Sequence, residues 1–196
     1  DLCEDFTQIS CFSYKRQEPV TISPAGEEDY SPIPTVLCIK QETKQWLFGE
    51  EAVICAAAGE GIRIDSILSK IITGEETVIF DQKFTGVMLL EKFLRKTLML
   101  IKNYFPTEPI TQLVVTVRDT QPALVEKIYQ ALSMLGIDKD RAVVMGHAGA
   151  YLYYALSQER SLWLNDVGLF DFNRQGLSYY QISFNRRTKP IVASLA

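Results

Sequence analysis

Imidazole chemistry has one possible carrier in this chain, because His147 is the only histidine. It follows Gly146 at the expected start of a helix, so opening that helix competes with acting as a general base. Nucleophile candidates such as Ser157 and Cys55 show no link to it in the sequence. The four cysteines, Cys3, Cys11, Cys38 and Cys55, include no C-x-x-C pair and have no nearby histidine, which excludes a zinc site of the usual spacing. They read as reduced, mostly buried small hydrophobes. Glu27-Glu28-Asp29 offers three carboxylates in a proline-containing segment, suited to a solvated loop, a cation or a partner contact. Tyr151, Tyr153 and Tyr154 could stack a base or grip a partner, but positions 151 and 154 share a helix face, which suits ordinary packing. No Gly-x-x-x-x-Gly-Lys-Ser/Thr loop occurs, and Gly59-Glu60-Gly61 sets an acid between its two glycines.

The bulk properties narrow the field. At 196 residues and 47% hydrophobic composition, the chain can bury one substantial core, or one core and a small dependent lobe. A net charge of −4 offers no overall footprint for nucleic acid or an anionic membrane, so neither is expected as a partner. Basic residues gather only in the tail, at Arg174, Arg186, Arg187 and Lys189, as a solvated face would have them. The apolar run 87–104 is broken by Glu91, Lys92, Arg95, Lys96 and Lys102, which excludes a bilayer span there. No signal peptide is visible, and a cytoplasmic location is expected.

The elements that would position these residues can be read from periodicity. Phe6–Tyr14 alternates polar and apolar residues and Pro19–Ser23 is a short β-rich run, which together read as two antiparallel strands; Val36–Ile39 and Trp46–Phe48 look like a small hairpin. Gly49-Glu50-Glu51 opens an alanine-rich helix to Ala58. Ile62–Ile72 fits a short helix by spacing and a strand by its β-branched content. Val87, Leu90, Leu94, Leu98, Ile101 and Phe105 mark a long helix. Leu113–Val117 is the apolar run expected of a strand buried on both faces. A helix from Pro122 to Leu135, a strand at Arg141–Met145 and a helix at Ala148–Leu156 follow with short links, as in parallel βαβ units. Leu94, Leu98, Val115, Leu124, Ile128 and Leu132 are expected in one core. The tail returns to β pattern at Trp163–Phe172, Leu177–Phe184 and Lys189–Ser194.

This order resembles the first half of the superfamily that holds actin, the heat-shock chaperones and the sugar kinases. Its first strand ends in Asp-Leu-Gly-Thr, and Asp1-Leu2-Cys3-Glu4-Asp5 stands at the matching place. The run from Val143 to Leu156 resembles the chaperones' hydrophobic strand, Asn-Glu-Pro and alanine-rich helix; Gly168-Leu169-Phe170-Asp171-Phe172 resembles their second phosphate loop. The resemblance implies an α/β fold with a ribonuclease-H-like mixed sheet and flanking helices. Residues 1–160 would form that first lobe, with a small insertion around 24–80, and residues 161–196 a β-hairpin that starts a truncated second lobe.

The resemblance also implies roles. Asp1 and Asp171 would be magnesium-bridging carboxylates, with Leu2, Cys3 and Phe172 as phosphate-loop equivalents and ATP and magnesium as cofactors. The rival use of both aspartates is to form strand-end turns. The loops depart from the pattern: Cys3 replaces a glycine, Glu4 and Asp5 add charge that repels phosphate, and Phe172-Asn173-Arg174 stands where glycines belong. Gly146 replaces the family's glutamate and His147 its proline. The expectation is therefore a non-catalytic or weakly catalytic relative that acts as scaffold, regulator or assembly subunit. Its expected partner is another protein or a second copy, met through the C-terminal strands. The alternative is an active magnesium-dependent ATPase or kinase whose second lobe lies outside this chain.

Overall fold

The computed structural model describes residues 1–14, 17–24, 32–107, 109–173 and 176–196. The acidic run at Glu27, Glu28 and Asp29, and Arg174 in the tail, lie outside the described residues. The chain is a mixed α/β protein whose described strands group in ladders of two or three. It divides into two compact units, residues 1–115 with 120–144 and residues 116–119 with 145–196.

In the first unit the alternating residues of the opening segment become short antiparallel ladders. Strand β1 (Phe6–Thr7) pairs with β4 (Ile33–Pro34), and β2 (Ile9–Ser13) with β3 (Glu18–Ile22). Next, β5 (Leu37–Lys40) is the centre of a three-stranded antiparallel sheet flanked by β6 (Trp46–Phe48) and β7 (Gly61–Ile64). Helix α1 (Gly49–Ala57) carries Glu50 and Glu51 in its first turn and buries Ala52 and Cys55 against Val36, Cys38 and Leu47. The ambiguous stretch after it is both things in turn. It makes β7, then turns at Asp65-Ser66 with Ser66 in the left-handed region (φ 57°), and continues as α2 (Ile67–Thr73).

A hairpin, β8 (Thr77–Ile79) with β9 (Gln82–Phe84), leads to α3 (Gly86–Tyr104), whose N-cap Thr85 accepts a hydrogen bond from the Met88 N–H at 3.3 Å. The buried stripe of α3 runs through Leu89, Leu90, Phe93, Leu94, Thr97 and Ile101. Leu98 is only half-buried, so it lies at the rim of the core rather than in it; the others of the expected core set, Leu94, Val115, Leu124, Ile128 and Leu132, are buried. Helix α4 (Pro122–Met134) starts with proline in its first turn and packs on α3. Strands β10 (Leu113–Val117) and β11 (Ala142–Gly146) pair, with the Leu113 N–H donating to the Arg141 carbonyl at 2.9 Å. Here the expectation of burial on both faces fails. Val115 and Val117 are buried, but Val114 and Val143 are exposed, because an apolar run reports strand propensity while only one face of this ladder is packed.

The second unit contains helix α5 (His147–Ser157) and a three-stranded antiparallel sheet of β12 (Val167–Asn173), β13 (Gly176–Asn185) and β14 (Val192–Leu195). Its core is Ala155, Ile182 and Phe184, with Leu152, Leu156, Val167, Ala193 and Leu195 packed around them. The start of the expected strand at Trp163 is instead a 3₁₀ turn, Arg160–Leu164, in which the Leu162 N–H donates to the Glu159 carbonyl. Asn165-Asp166 separates that turn from β12, as turn-forming residues do. No helix among the described residues is long and apolar enough to cross a membrane.

Candidate functional site

The first candidate loop is a tight turn that uses its own hydrogen-bonding groups. The Cys3 N–H donates to the Phe6 carbonyl at 3.1 Å, the Phe6 N–H donates to Asp5 Oδ1 at 3.1 Å, and the Gln8 N–H donates to the Asp1 carbonyl at 2.9 Å. Thr35 locks the turn from outside: its N–H donates to the Asp5 carbonyl at 2.9 Å and its hydroxyl to the Cys3 carbonyl at 2.8 Å. Leu2 is buried, Asp1 is exposed, and the half-buried Cys3 thiol donates to Asp1 Oδ2 at 3.6 Å. Glu4 accepts from the Ser69 N–H at 3.1 Å. Burial pushes its carboxyl above the ordinary value, and the Ser69 hydrogen bonds act the other way. A phosphate cradle needs several N–H groups aimed outward at one point. In this turn the N–H groups of Cys3, Phe6 and Gln8 are engaged internally, and a carboxylate stands beside them.

The second candidate loop is a regular strand. β12 continues through Asp171↔Ser178 and Phe172↔Leu177 to Asn173↔Gly176, so the ladder runs straight through the place where glycines would open a phosphate loop. Strand alternation turns Phe172 out to 82% exposure and Asp171 in to 8%. Asp171 Oδ2 lies 2.9 Å from Nδ1 of His147, which is 4% exposed at the first position of α5. Tyr151, one turn along α5, tilts its ring against His147 at 5.9 Å between centroids, and Tyr180 of β13 tilts against Tyr151 at 5.8 Å. Of the three tyrosines of α5, Tyr151 is packed while Tyr153 and Tyr154 are exposed, so positions 151 and 154 do not share one packed face as spacing suggests. On the same strand pair, the Arg118 guanidinium donates to Ser178 Oγ at 3.0 Å.

A histidine and aspartate joined through Nδ1 are the orienting half of a nucleophilic triad, in which the carboxylate fixes the tautomer and the other ring nitrogen does the chemistry. Both side chains are more than nine-tenths covered, and their contact joins the start of α5 to β12. The sequence signal for this pairing was the alternation of β12. It places Asp171 on the inward face with Val167 and Leu169, where a carboxylate requires a partner, and the chain has a single histidine.

The two sealed cysteines also meet. Cys38 on β5 and Cys55 on α1 are hydrogen-bonded to each other, and burial, reinforced by Cys55, pushes the Cys38 thiol up to about 11. Both sulfurs occupy the space over Gly61, where a Cβ would stand 2.5 Å from one and 3.1 Å from the other. Cys3 and Cys11 are half-buried, and no disulfide joins any of the four cysteines.

Residues 18–196 match the sequence model described as the C-terminal family of unknown function DUF5716. No curated protein matches the chain.

Proposed function

The chain belongs to that DUF5716 C-terminal family, and we propose that it is a non-catalytic relative of the actin-like and chaperone-like ATPases, acting through protein contacts as a scaffold or assembly subunit. The order of elements supports the fold part of this reading. Antiparallel ladders interspersed with the short helices α1 and α2 come first, then a long helix, strand, helix, strand and helix, an order similar to the first half of that superfamily, and a three-stranded sheet closes the chain.

One observation carries the functional part: the hydrogen bond between Asp171 and His147. A carboxylate that bridges magnesium and orients an attacking water must present its oxygens to the nucleotide. Asp171 presents one of them to the buried imidazole of His147, while Phe172 extends the strand where a glycine N–H would meet phosphate. Catalysis is thereby replaced by packing at this position.

Isothermal titration of the chain with ATP, with and without magnesium, tests the reading. No magnesium-dependent heat is expected. Micromolar, magnesium-dependent binding would overturn it and favour an ATPase completed by a lobe outside this chain.

A further inference from the structure

Antiparallel register places directly opposed residues on one face of a sheet. In the second unit, Phe170↔Tyr179 and Phe172↔Leu177 are such pairs, and they stand on the face opposite the one that α5 covers. Their exposures are 69% and 54%, and 82% and 60%. The Phe170 and Tyr179 rings already touch, with centroids 5.0 Å apart. This patch borders an open edge, because β12 is the outer strand of its sheet among the described residues.

Exposed edges are normally guarded by lysine, proline, a bulge or a short strand. The other edge of this sheet is guarded: β14 has four residues, and its connection to β13 holds Arg186, Arg187, Lys189 and Pro190. The seven-residue strand β12 has no lysine or proline in Val167–Asn173, and its ladder with β13 runs without a bulge. Its one charged residue, Asp171, is an inward-pointing charge of the kind that can guard an edge, but it is buried and hydrogen-bonded to His147.

We propose that β12 is a self-association strand, which pairs antiparallel with β12 of a second copy about a two-fold axis centred on Phe170. This deepens the protein-contact reading above and rests on it. The register is self-complementary. Phe170 meets its own counterpart, and Phe172 of each copy lies opposite Gly168 of the other. The space over Gly168 is taken by the Tyr179 ring of its own sheet, within 3.1 Å of where a Cβ would be, an aromatic side chain covering a glycine on the neighbouring strand, so Phe172 of the other copy would meet the edge of that ring.

The edge itself supports a second copy as the occupant, because the unpaired N–H and C=O groups of β12 are met by an identical strand across the two-fold axis. Edge pairing brings Phe170 and Phe172 of each copy against the partner strand, while Tyr179 and Leu177 stand one strand behind on β13. At about 200 Å² for a side chain of this size, the two rings expose on the order of 300 Å² per copy, below the roughly 800 Å² per partner of a standard interface, which sets the pairing in the weak, micromolar range. With the β14 edge guarded, the pairing closes as a six-stranded dimer instead of growing into a filament.

Sedimentation velocity across a wide concentration range, without nucleotide, tests the proposal. A monomer–dimer equilibrium in the micromolar range is expected, and Phe170→Glu should weaken it by about 30-fold or more, as for the loss of an interface hot spot. Tyr14→Glu, at an exposed aromatic residue of the first unit, should leave it unchanged. Register is read separately with Phe170→Cys. Opposed residues of an antiparallel pair have Cα atoms about 4.5–5.5 Å apart, within disulfide reach, so diamide, which takes up the two electrons and two protons, should link the copies. Leu177→Cys, one strand further from the axis, should not link. A monomer at every concentration, a dimer indifferent to Phe170→Glu, or equal cross-linking at both positions would each overturn the proposal. If Phe170→Glu failed to fold, the cross-linking pair would decide alone. None of these results bears on ATP binding, so the two readings fail separately.

Discussion

Removing the imidazole from the His147–Asp171 pair should destabilise the second unit severely. Both side chains are sealed, His147 at 4% and Asp171 at 8% exposure, so bulk water does not reach the pair in the folded protein. Deleting one member of a buried charged pair costs about 3–5 kcal/mol, and leaving a neutral polar group unsatisfied costs roughly 1–3 kcal/mol. His147→Ala also removes the ring that packs on Tyr151, which places the expected loss at the upper end, about 4 kcal/mol. For a chain of this length about 2–4 °C of melting temperature corresponds to each kcal/mol, so a drop on the order of 10 °C is expected. Asp171→Asn, which keeps an acceptor for Nδ1–H, should cost less than Asp171→Leu. In a double-mutant cycle, His147→Ala with Asp171→Leu should fall short of the summed single effects by more than about 1 kcal/mol. Urea denaturation followed by circular dichroism supplies the energies, and hydrogen exchange at the amides of β12 and β13 locates the change. Additive single effects, or a His147→Ala variant within about 1 kcal/mol of the parent, would refute the pairing as a structural element.

Two further predictions concern the buried thiols. Because the folded state holds the Cys38 proton up to about 11 against the ordinary 9.0, the stability it contributes is complete below pH 9 and is lost as pH rises from 9 to 11. The loss should approach about 3 kcal/mol; urea melts at pH 8, 9.5 and 11, compared with Cys38→Ala, isolate it, and parallel profiles would show that the thiol does not titrate this way. Gly61→Ala would bring its methyl 2.8 Å from the Ile39 carbonyl as well as onto both sulfurs, and a ladder carbonyl cannot move aside. A loss of about 1–3 kcal/mol is expected in the same urea assay, and an unchanged midpoint would place the two thiols elsewhere.

The elements that were legible in the sequence are those whose periodicity and end signals agree. The stripe of α3 starts at its Thr85 cap, α4 begins at Pro122 and is followed by Gly136 in the left-handed region, and the β5–β6 hairpin is built from two short apolar runs. Misreadings came where one signal served two purposes. Val114 carries strand propensity but faces outward, Leu98 keeps helical spacing but lies at the rim, and Trp163-Leu164 ends a 3₁₀ turn instead of opening a strand. Ile62–Ile72 resisted a single reading because Asp65-Ser66 divides it between two elements, and a left-handed serine leaves no periodic trace.

The site was legible in its residues but not in its contacts. Asp171 was a candidate because of the motif around it, and His147 because it is the sole imidazole. Their junction needed three-dimensional placement, since they are 24 residues apart on different elements. That junction also changes what the motif implies. Fixing Asp171 inward by strand alternation requires Phe170 and Phe172 to face outward, because neighbouring side chains of a strand point to opposite faces. The alternation that turns the Asp171 carboxylate toward His147 therefore also sets out the two exposed rings of β12. A change that released Asp171, such as His147→Ala, would loosen the presentation of Phe170 and Phe172 through the same strand, which couples the buried dyad to the exposed edge.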